Sequence, residues 1–169
     1  VGVDREAWSH YTLSGRGRPA TGVLAPEDPF DSEDFARVSH DVGLAGRRLD
    51  EAGFPRGANG TRLSLEYKTS TNETAIAIAK LIKHDLGEAG IAVSIRPAEW
   101  GTFFGDILNG DFQIYTLTSP AIADPDFHRW LLSSGTIPPA GSTSNRGGYR
   151  NEGLDALLWA GSAGPRYVE

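Results

Sequence analysis

RLSLEYKTSTNETAIAIAKLIKHDLGEAGIAVSIRPAEWGTFFGDILNGDFQIYTL, residues 62–117, is the stretch that decides the fold. Apolar and polar residues alternate at 62–68 and again at 91–96, which is typical of half-buried strands. A third run, at 112–117, also has the pattern of a strand. A segment with helical periodicity separates each run from the next, so the sequence predicts the order β-α-β-α-β.

The longer of the two predicted helices lies between the first and second strands. Ser70 and Glu73 have the spacing of a capping box, in which a hydroxyl and a carboxylate bond free amide groups at a helix start. An apolar stripe follows at helical spacing, and Gly90 ends the helix. The shorter helix is predicted at 99–108. Short connections in this order indicate parallel strands with right-handed crossovers, and hence an α/β sheet flanked by helices.

Further helices are predicted outside this core, at 4–13, with Asp4 as N-cap, at 40–52 and at 155–159. Asp124 and Pro125 precede another helical stretch at 127–132, where they suit an N-cap followed by proline in the first turn. An orienting role beside a cleft stays open for the two carboxylates of this stretch, Asp124 and Asp126. Trp130 and Leu131 are expected in the core beneath that helix.

A long segment begins at the carboxyl ends of the strands, where ligands gather in parallel sheets. Residues 118–151 are polar and rich in proline and glycine, yet they carry aromatic and branched apolar residues that a disordered linker would lack. Within this segment Asn145, Arg146 and Tyr149 can present an amide, a guanidinium and a phenol to one small anionic or polar molecule. Trp100 follows the second strand at the same edge. Two roles stay open for it: a contact to the ligand, or a cover over the end of the sheet.

Composition limits the possible classes of function. Sixteen Lys and Arg against 22 Asp and Glu give a net charge of −6, which argues against a nucleic-acid partner. The chain has no cysteine, which excludes disulfides, thiol catalysis and Cys-ligated zinc. It also has no methionine, not even at position 1, so we expect a fragment of a longer protein.

No catalytic or metal-binding motif is assembled in the sequence. Serine occurs in no G-x-S-x-G pattern, and the four histidines fall in separate segments. We therefore expect no enzyme activity, no metal and no cofactor. Two alternatives stay open: a hydrolase-like or transferase enzyme that uses Ser119 or Ser144 with a distant histidine, and a ligand-binding sensory domain of a receptor.

Several segments together resemble the extracytoplasmic solute-binding proteins of peptide/nickel-type ABC transporters, family 5. The matching segments are VDREAW (3–8), RPATG (18–22), RRLDEAGFP (47–55), RLSLEYKTSTNETAIAIAKLIKHDLGEAGI (62–91), AEWGTFFGDILNGDFQIY (98–115), DPDFHRW (124–130), SSGTIPPAG (133–141) and NRGGYRN (145–151). Each segment alone is a weak match, and their shared order along nearly the whole chain carries the resemblance.

The resemblance implies that residues 1–169 are one lobe of a type II periplasmic-binding-protein fold, with a βαβαβ core at 62–117 and a ligand-edge segment at 118–151. Such a lobe closes over a solute together with a first lobe of the same protein. The implied function is binding of a peptide-like or other small polar solute outside the cytoplasmic membrane, for delivery to an ABC transporter permease. The resemblance implies a periplasmic or lipid-anchored protein, and we expect a monomer.

The resemblance also implies a ligand-contact stretch after the third strand, at Ser119, Pro120, Ala121, Ile122 and Ala123. Peptide-binding members commonly have an acid in this stretch, where this chain has Ala121 or a neighbouring small residue. Nickel-chelate binders tend to have Trp and Tyr where Ser119 and Ala123 stand. We therefore expect a small, apolar pocket wall.

Overall fold

The computed structural model of the chain describes residues 1–13, 15–17, 19–20, 39–118, 126–138 and 144–162. Its elements in chain order are α1 Arg5–Leu13, α2 Val42–Glu51, β1 Leu63–Ser70, α3 Glu73–Glu88, β2 Ile91–Ala98, α4 Trp100–Asn109, β3 Ile114–Tyr115, α5 Phe127–Leu132, a 3-10 turn at Ser134–Thr136, and α6 Glu152–Ser162. The predicted β-α-β-α-β order is confirmed. Among the described residues, no helix has both the length and the apolar character needed to cross a membrane.

The three strands form one parallel sheet in the order β2-β1-β3. β1 and β2 pair along their whole length, from Leu63 opposite Ile91 to Ser70 opposite Ala98. β3 is shorter than the predicted run at 112–117 and pairs with β1 through two residues only. At its N-terminal end, the Gln113 side-chain oxygen accepts the Glu66 N–H at 2.6 Å, in the place of a backbone oxygen.

One face of the sheet packs against α3 and forms the main apolar core. Its buried centre consists of Tyr67 and Val93 from the strands with Ala79 and Ile82 from α3. The Tyr67 side chain is completely buried, with its hydroxyl 2.6 Å from Thr116 Oγ1. Burial raises the pKa of this phenol. The alternation at 62–68 therefore predicted correctly that Tyr67 faces the core.

The opposite face of β1 is polar and lies against α4. Lys68 follows Tyr67 and so points to this other side. Its Nζ donates to Asp111 Oδ2 at 2.7 Å and to Asp106 Oδ2 of α4 at 2.9 Å, and these bonds raise the pKa of Lys68. Two residues one turn apart in α4, Phe103 and Ile107, are buried. An apolar strip and an ion cluster thus hold α4 in place.

The predicted start of α3 is corrected by the structure. Asn72 is the N-cap, because its Oδ1 accepts the Ala75 N–H at 3.1 Å. Ser70 cannot take this role, since it is the last residue of β1 and pairs with Ala98. A small polar residue two positions later therefore performs the capping that the sequence assigned to the serine.

The structure changes one expectation for α5 and describes the residue directly before it. Asp126 directly precedes the helix, but its carboxylate binds the Arg129 guanidinium at 2.6 and 2.8 Å and caps no amide. This pairing lowers the pKa of Asp126. Asp124 and Pro125 lie outside the described residues. Trp130 is 40% exposed, so the prediction that it lies in the core is wrong, whereas Leu131 is partly buried.

Hydrogen bonds attach the two N-terminal helices to the core. Asp4 caps α1 as predicted, since its Oδ1 accepts a first-turn N–H at 2.9 Å. Trp8 Nε1 and the Asp4 N–H both donate to Asp85 Oδ2 of α3, at 2.9 and 3.0 Å. The second helix, α2, is attached through Asp50, which accepts a hydrogen bond from the guanidinium of Arg62, the residue before β1. That bond lowers the pKa of Asp50.

Candidate functional site

The carboxyl ends of β1 and β2 lie side by side, and α4 begins directly beyond them. Trp100 is the first residue of α4 and is 57% exposed at this edge of the sheet. The described chain continues beyond β3 to Thr118. The predicted contact stretch that follows, Ser119, Pro120, Ala121, Ile122 and Ala123, lies outside the described residues.

The structure brings Trp100 and Arg146 to one shared side chain, Phe104. The Trp100 and Phe104 rings are stacked, with centroids 5.5 Å apart and planes 11° apart. The Arg146 guanidinium carbon lies 5.4 Å from the centroid of the Phe104 ring, within range of a cation–π contact. Phe104 was not among the predicted site residues. Its spacing of four residues from Trp100, which stacks side chains on one helix face, was the available signal.

Asn145 is buried, and backbone groups use both ends of its amide. Its Nδ2 donates to Tyr149 O at 2.8 Å, to Ser133 O at 3.1 Å and to Leu132 O at 3.3 Å. Its Oδ1 accepts the Tyr149 N–H at 3.0 Å. The amide therefore closes the loop that carries Arg146 and Tyr149, and it joins this loop to the end of α5.

Tyr149 is 47% exposed at the far end of this loop. Its hydroxyl accepts a hydrogen bond from Asn151 Nδ2 at 3.2 Å, so the phenol is held but still reaches solvent. Gly148, just before it, has a φ of +66°, which a residue with a side chain rarely adopts. The glycine lets the chain turn sharply between Arg146 and Tyr149.

An open pocket of about 330 Å³ lies between the end of α4 and the loop segments. Its described lining consists of residues 107–110, at the end of α4 and just after it, together with Ile137, Pro138 and Arg146. Arg146 Nε is buried and has no hydrogen-bond partner among the described residues. The pocket thus combines apolar walls with one guanidinium. The sequence singled out the arginine but not Ile137 or Pro138, because their contact with α4 depends on the loop path.

Two polar contacts fasten the 3-10 turn and the loop to neighbouring helices. Asp155 of α6 accepts the Ser134 N–H at 2.9 Å and also bonds the Ser134 hydroxyl, and these bonds lower the pKa of Asp155. Ser144 is buried, and its hydroxyl bonds the Trp130 carbonyl oxygen. This serine therefore has a structural partner and lies away from solvent, unlike a poised nucleophile.

One set of side chains in the described part of the chain has ligand atoms close enough to share a metal ion. It consists of His84, Asp85 and Glu88 on α3, with ligand atoms within 4.8 Å of one another. The Asp85 oxygen that faces α1 already accepts the two hydrogen bonds described above. This oxygen therefore has a structural role in holding α1 on α3.

Comparison with known protein families and sequences gives a consistent result. The family model described as bacterial extracellular solute-binding proteins, family 5 Middle, matches residues 1–138. Protein XP55 of Streptomyces lividans is 33% identical over 94% of the chain and 30% of its own length. Probable di/tripeptide-binding protein 5 of Pseudomonas aeruginosa is 28% identical over 96% and 30%, respectively. The chain thus spans about 30% of the length of these curated relatives.

Solved structures share the fold. The oligopeptide-binding protein AppA of Bacillus subtilis, in complex with a nonapeptide, has a TM-score of 0.80 at 23% identity. NikZ of Campylobacter jejuni, in complex with Ni(L-His), has a TM-score of 0.80 at 21% identity. In both cases the match covers 94% of this chain and 33% of the other chain. The fold is that of type II periplasmic binding proteins, and the chain belongs to family 5 of the bacterial extracellular solute-binding proteins.

Proposed function

We propose that the protein containing this chain binds a small solute, peptide-like or otherwise polar, outside the cytoplasmic membrane and delivers it to an ABC transporter permease. The observation that carries the proposal is the family match over residues 1–138. The relatives support the solute class, since one is named as a di/tripeptide-binding protein and two solved neighbours hold a nonapeptide and Ni(L-His). We further propose a monomer that is periplasmic or lipid-anchored and performs no chemical turnover.

In this proposal the chain supplies one wall of the solute site. Trp100, Arg146 and Tyr149 contact the solute, together with residues 119–123. Asn145 contributes to the wall by holding the loop, because its amide is fully used by backbone groups. A first lobe of the same protein supplies the opposite wall.

The mechanism follows from having two walls. Closing two lobes over a solute buries it on both sides and biases the hinge toward the closed state, so affinity depends on both lobes. A single lobe offers one open surface, and we expect the isolated chain to bind the solute weakly. The enzyme alternative has less support, because the Ser144 hydroxyl is buried against a backbone carbonyl.

The test is to purify the full-length protein without denaturation and identify any bound solute by mass spectrometry. Calorimetry with that solute should then show binding without turnover. Trp100→Ala should weaken binding about tenfold, since a buried aromatic contact contributes about 0.5–1.5 kcal/mol beyond its area. Trp159→Ala, which removes another exposed tryptophan on α6, is the matched control and should leave affinity unchanged. Hydrolysis of the solute, or the absence of saturable binding to any peptide or small polar molecule, would contradict the proposal.

A further inference from the structure

The helix α6 has apolar residues on two opposite sides. The side that packs against α5 carries Asp155, which bonds Ser134, and the partly buried Leu154 and Leu158. Successive residues of a helix are about 100° apart, so a second set of residues lies on the opposite side. This second set, the outer face of α6, consists of Gly153, Ala156, Leu157 and Ala160. All four are exposed, and Leu157 is 71% exposed.

The outer face of α6 lacks the charges that the same chain places on another exposed helix side. On α3 the exposed residues include Lys80, Lys83 and Glu88. On α6, residues 156–160 read ALLWA and contain no charged side chain. A single exposed leucine is ordinary, but a helix that is apolar on opposite sides is typical of a buried position. The outer face of α6 therefore has the composition of an interface.

The shape of the outer face suits a second helix. Leu157 stands between small residues, so it forms a ridge with low ground on either side. Packed helices fit such ridges into the grooves of their partner, at a distance set by the side chains in contact. Trp159 lies at the edge of this face, where the Arg129 guanidinium carbon is 5.5 Å from its ring centroid.

The segment that covers this face has to be present whenever the protein is folded. A partner that binds and leaves, such as a permease, would return the apolar face to water after each encounter, and such patches favour aggregation. The chain spans about 30% of the length of its curated relatives, which leaves most of such a protein outside residues 1–169. A tethered segment of the same polypeptide has an effective concentration on the order of millimolar, so it covers the face permanently.

We infer that the outer face of α6 is the docking surface for an amphipathic helix that the same polypeptide contributes from outside residues 1–169. This goes beyond the proposed function and does not depend on the solute. With that helix in place, α6 is held from both sides. Its Asp155 then connects the docked helix to Ser134 and the 3-10 turn.

Cysteine labelling in the full-length protein tests whether the outer face is covered. The chain has no cysteine of its own, so an introduced one is followed in its own peptide by mass spectrometry. Leu157→Cys should react with N-ethylmaleimide at least about tenfold more slowly than the control Lys83→Cys on α3, because a covered thiol reacts only after local opening. After unfolding in urea the two rates should be equal. Equal rates in the native protein would overturn the inference.

Hydroxyl-radical footprinting keeps the inference falsifiable if Leu157→Cys does not fold. In the unmodified full-length protein, Leu157 should be oxidised at least about tenfold more slowly in the native state than after unfolding, since a docked helix excludes the radical until it opens locally. Oxidation of Leu157 at similar rates in both states contradicts a covered face. Protection that disappears on dilution would indicate a second copy as the cover, and it also contradicts the inference.

Cross-linking identifies the segment on the outer face. Photo-leucine, a diazirine isostere of leucine, is incorporated into the full-length protein, and cross-links from position 157 are mapped by mass spectrometry. They should join position 157 to a residue outside 1–169 in the same polypeptide. Cross-links to a second polypeptide, or only to residues within 1–169, would show that the inferred helix is not there. No solute enters these measurements, so their failure leaves the proposed function standing.

Discussion

Replacing Asn145 with alanine should open the loop that carries Arg146 and Tyr149. Losing the bond from Asn145 to the Ser133 carbonyl oxygen costs little, because that oxygen still accepts hydrogen bonds from Thr136 N and Oγ1. The main cost comes from the N–H and C=O of Tyr149, which lose their bonds of 3.0 and 2.8 Å. At about 1 kcal/mol for each bond, the variant should be destabilised locally by about 2 kcal/mol.

Hydrogen exchange at the Tyr149 amide reports this local opening directly, since that N–H is the donor to Asn145. A loss of about 2 kcal/mol corresponds to exchange about 30-fold faster in Asn145→Ala. Asn109→Ala, at an exposed asparagine near the end of α4, should leave the rate unchanged. Unchanged exchange in Asn145→Ala would refute the assignment of Asn145 as the residue that closes this loop.

Three further predictions concern stability, each measured by chemical unfolding of the full-length protein. Trp8→Phe keeps the ring but loses the indole N–H bond to α3, and it should cost about 1 kcal/mol. Asp50→Asn should lower stability at neutral pH and make stability depend less on pH in acid. The reason is that the bond to Arg62 lowers the pKa of Asp50 in the folded state. The stabilisation from this bond is present above the ordinary pKa of 3.8 and is lost as the pH falls through the lower folded-state pKa. Gly110→Ala, at a φ of +74°, should destabilise by about 1 kcal/mol, whereas Gly105→Ala inside the same helix should stabilise by up to about 1 kcal/mol.

The core of the fold was predictable because its signals are local. The alternation around Tyr67 and the apolar stripe through Ala79 and Ile82 each depend on the period of a single element, and these residues are buried as expected. The errors arose where a contact distant in sequence competes with a local pattern. Ser70 has the right neighbours for a cap but is held in the sheet, and the Gln113 side chain takes the place of a backbone oxygen beside β1.

The candidate site was less predictable because its members come from separate segments. The sequence indicated Trp100 and Arg146 individually, but their common contact with Phe104 requires the loop to pack on α4. Trp130 was expected in the core on apolar character alone, yet α5 spans only 6 residues and leaves one side of the helix open. Loop geometry, which the sequence specifies weakly, decides which side chains meet.

The two faces of the sheet are held by forces that respond differently to salt. On the α3 side the contacts are apolar, whereas Lys68 and its two carboxylates hold α4 in part through charge. Raising the ionic strength screens the exposed parts of that cluster and leaves apolar contacts intact or strengthened. Higher ionic strength should therefore loosen only the charged share of the attachment of α4, whose buried Phe103 and Ile107 stay in place, and it should leave the α3 layer unaffected.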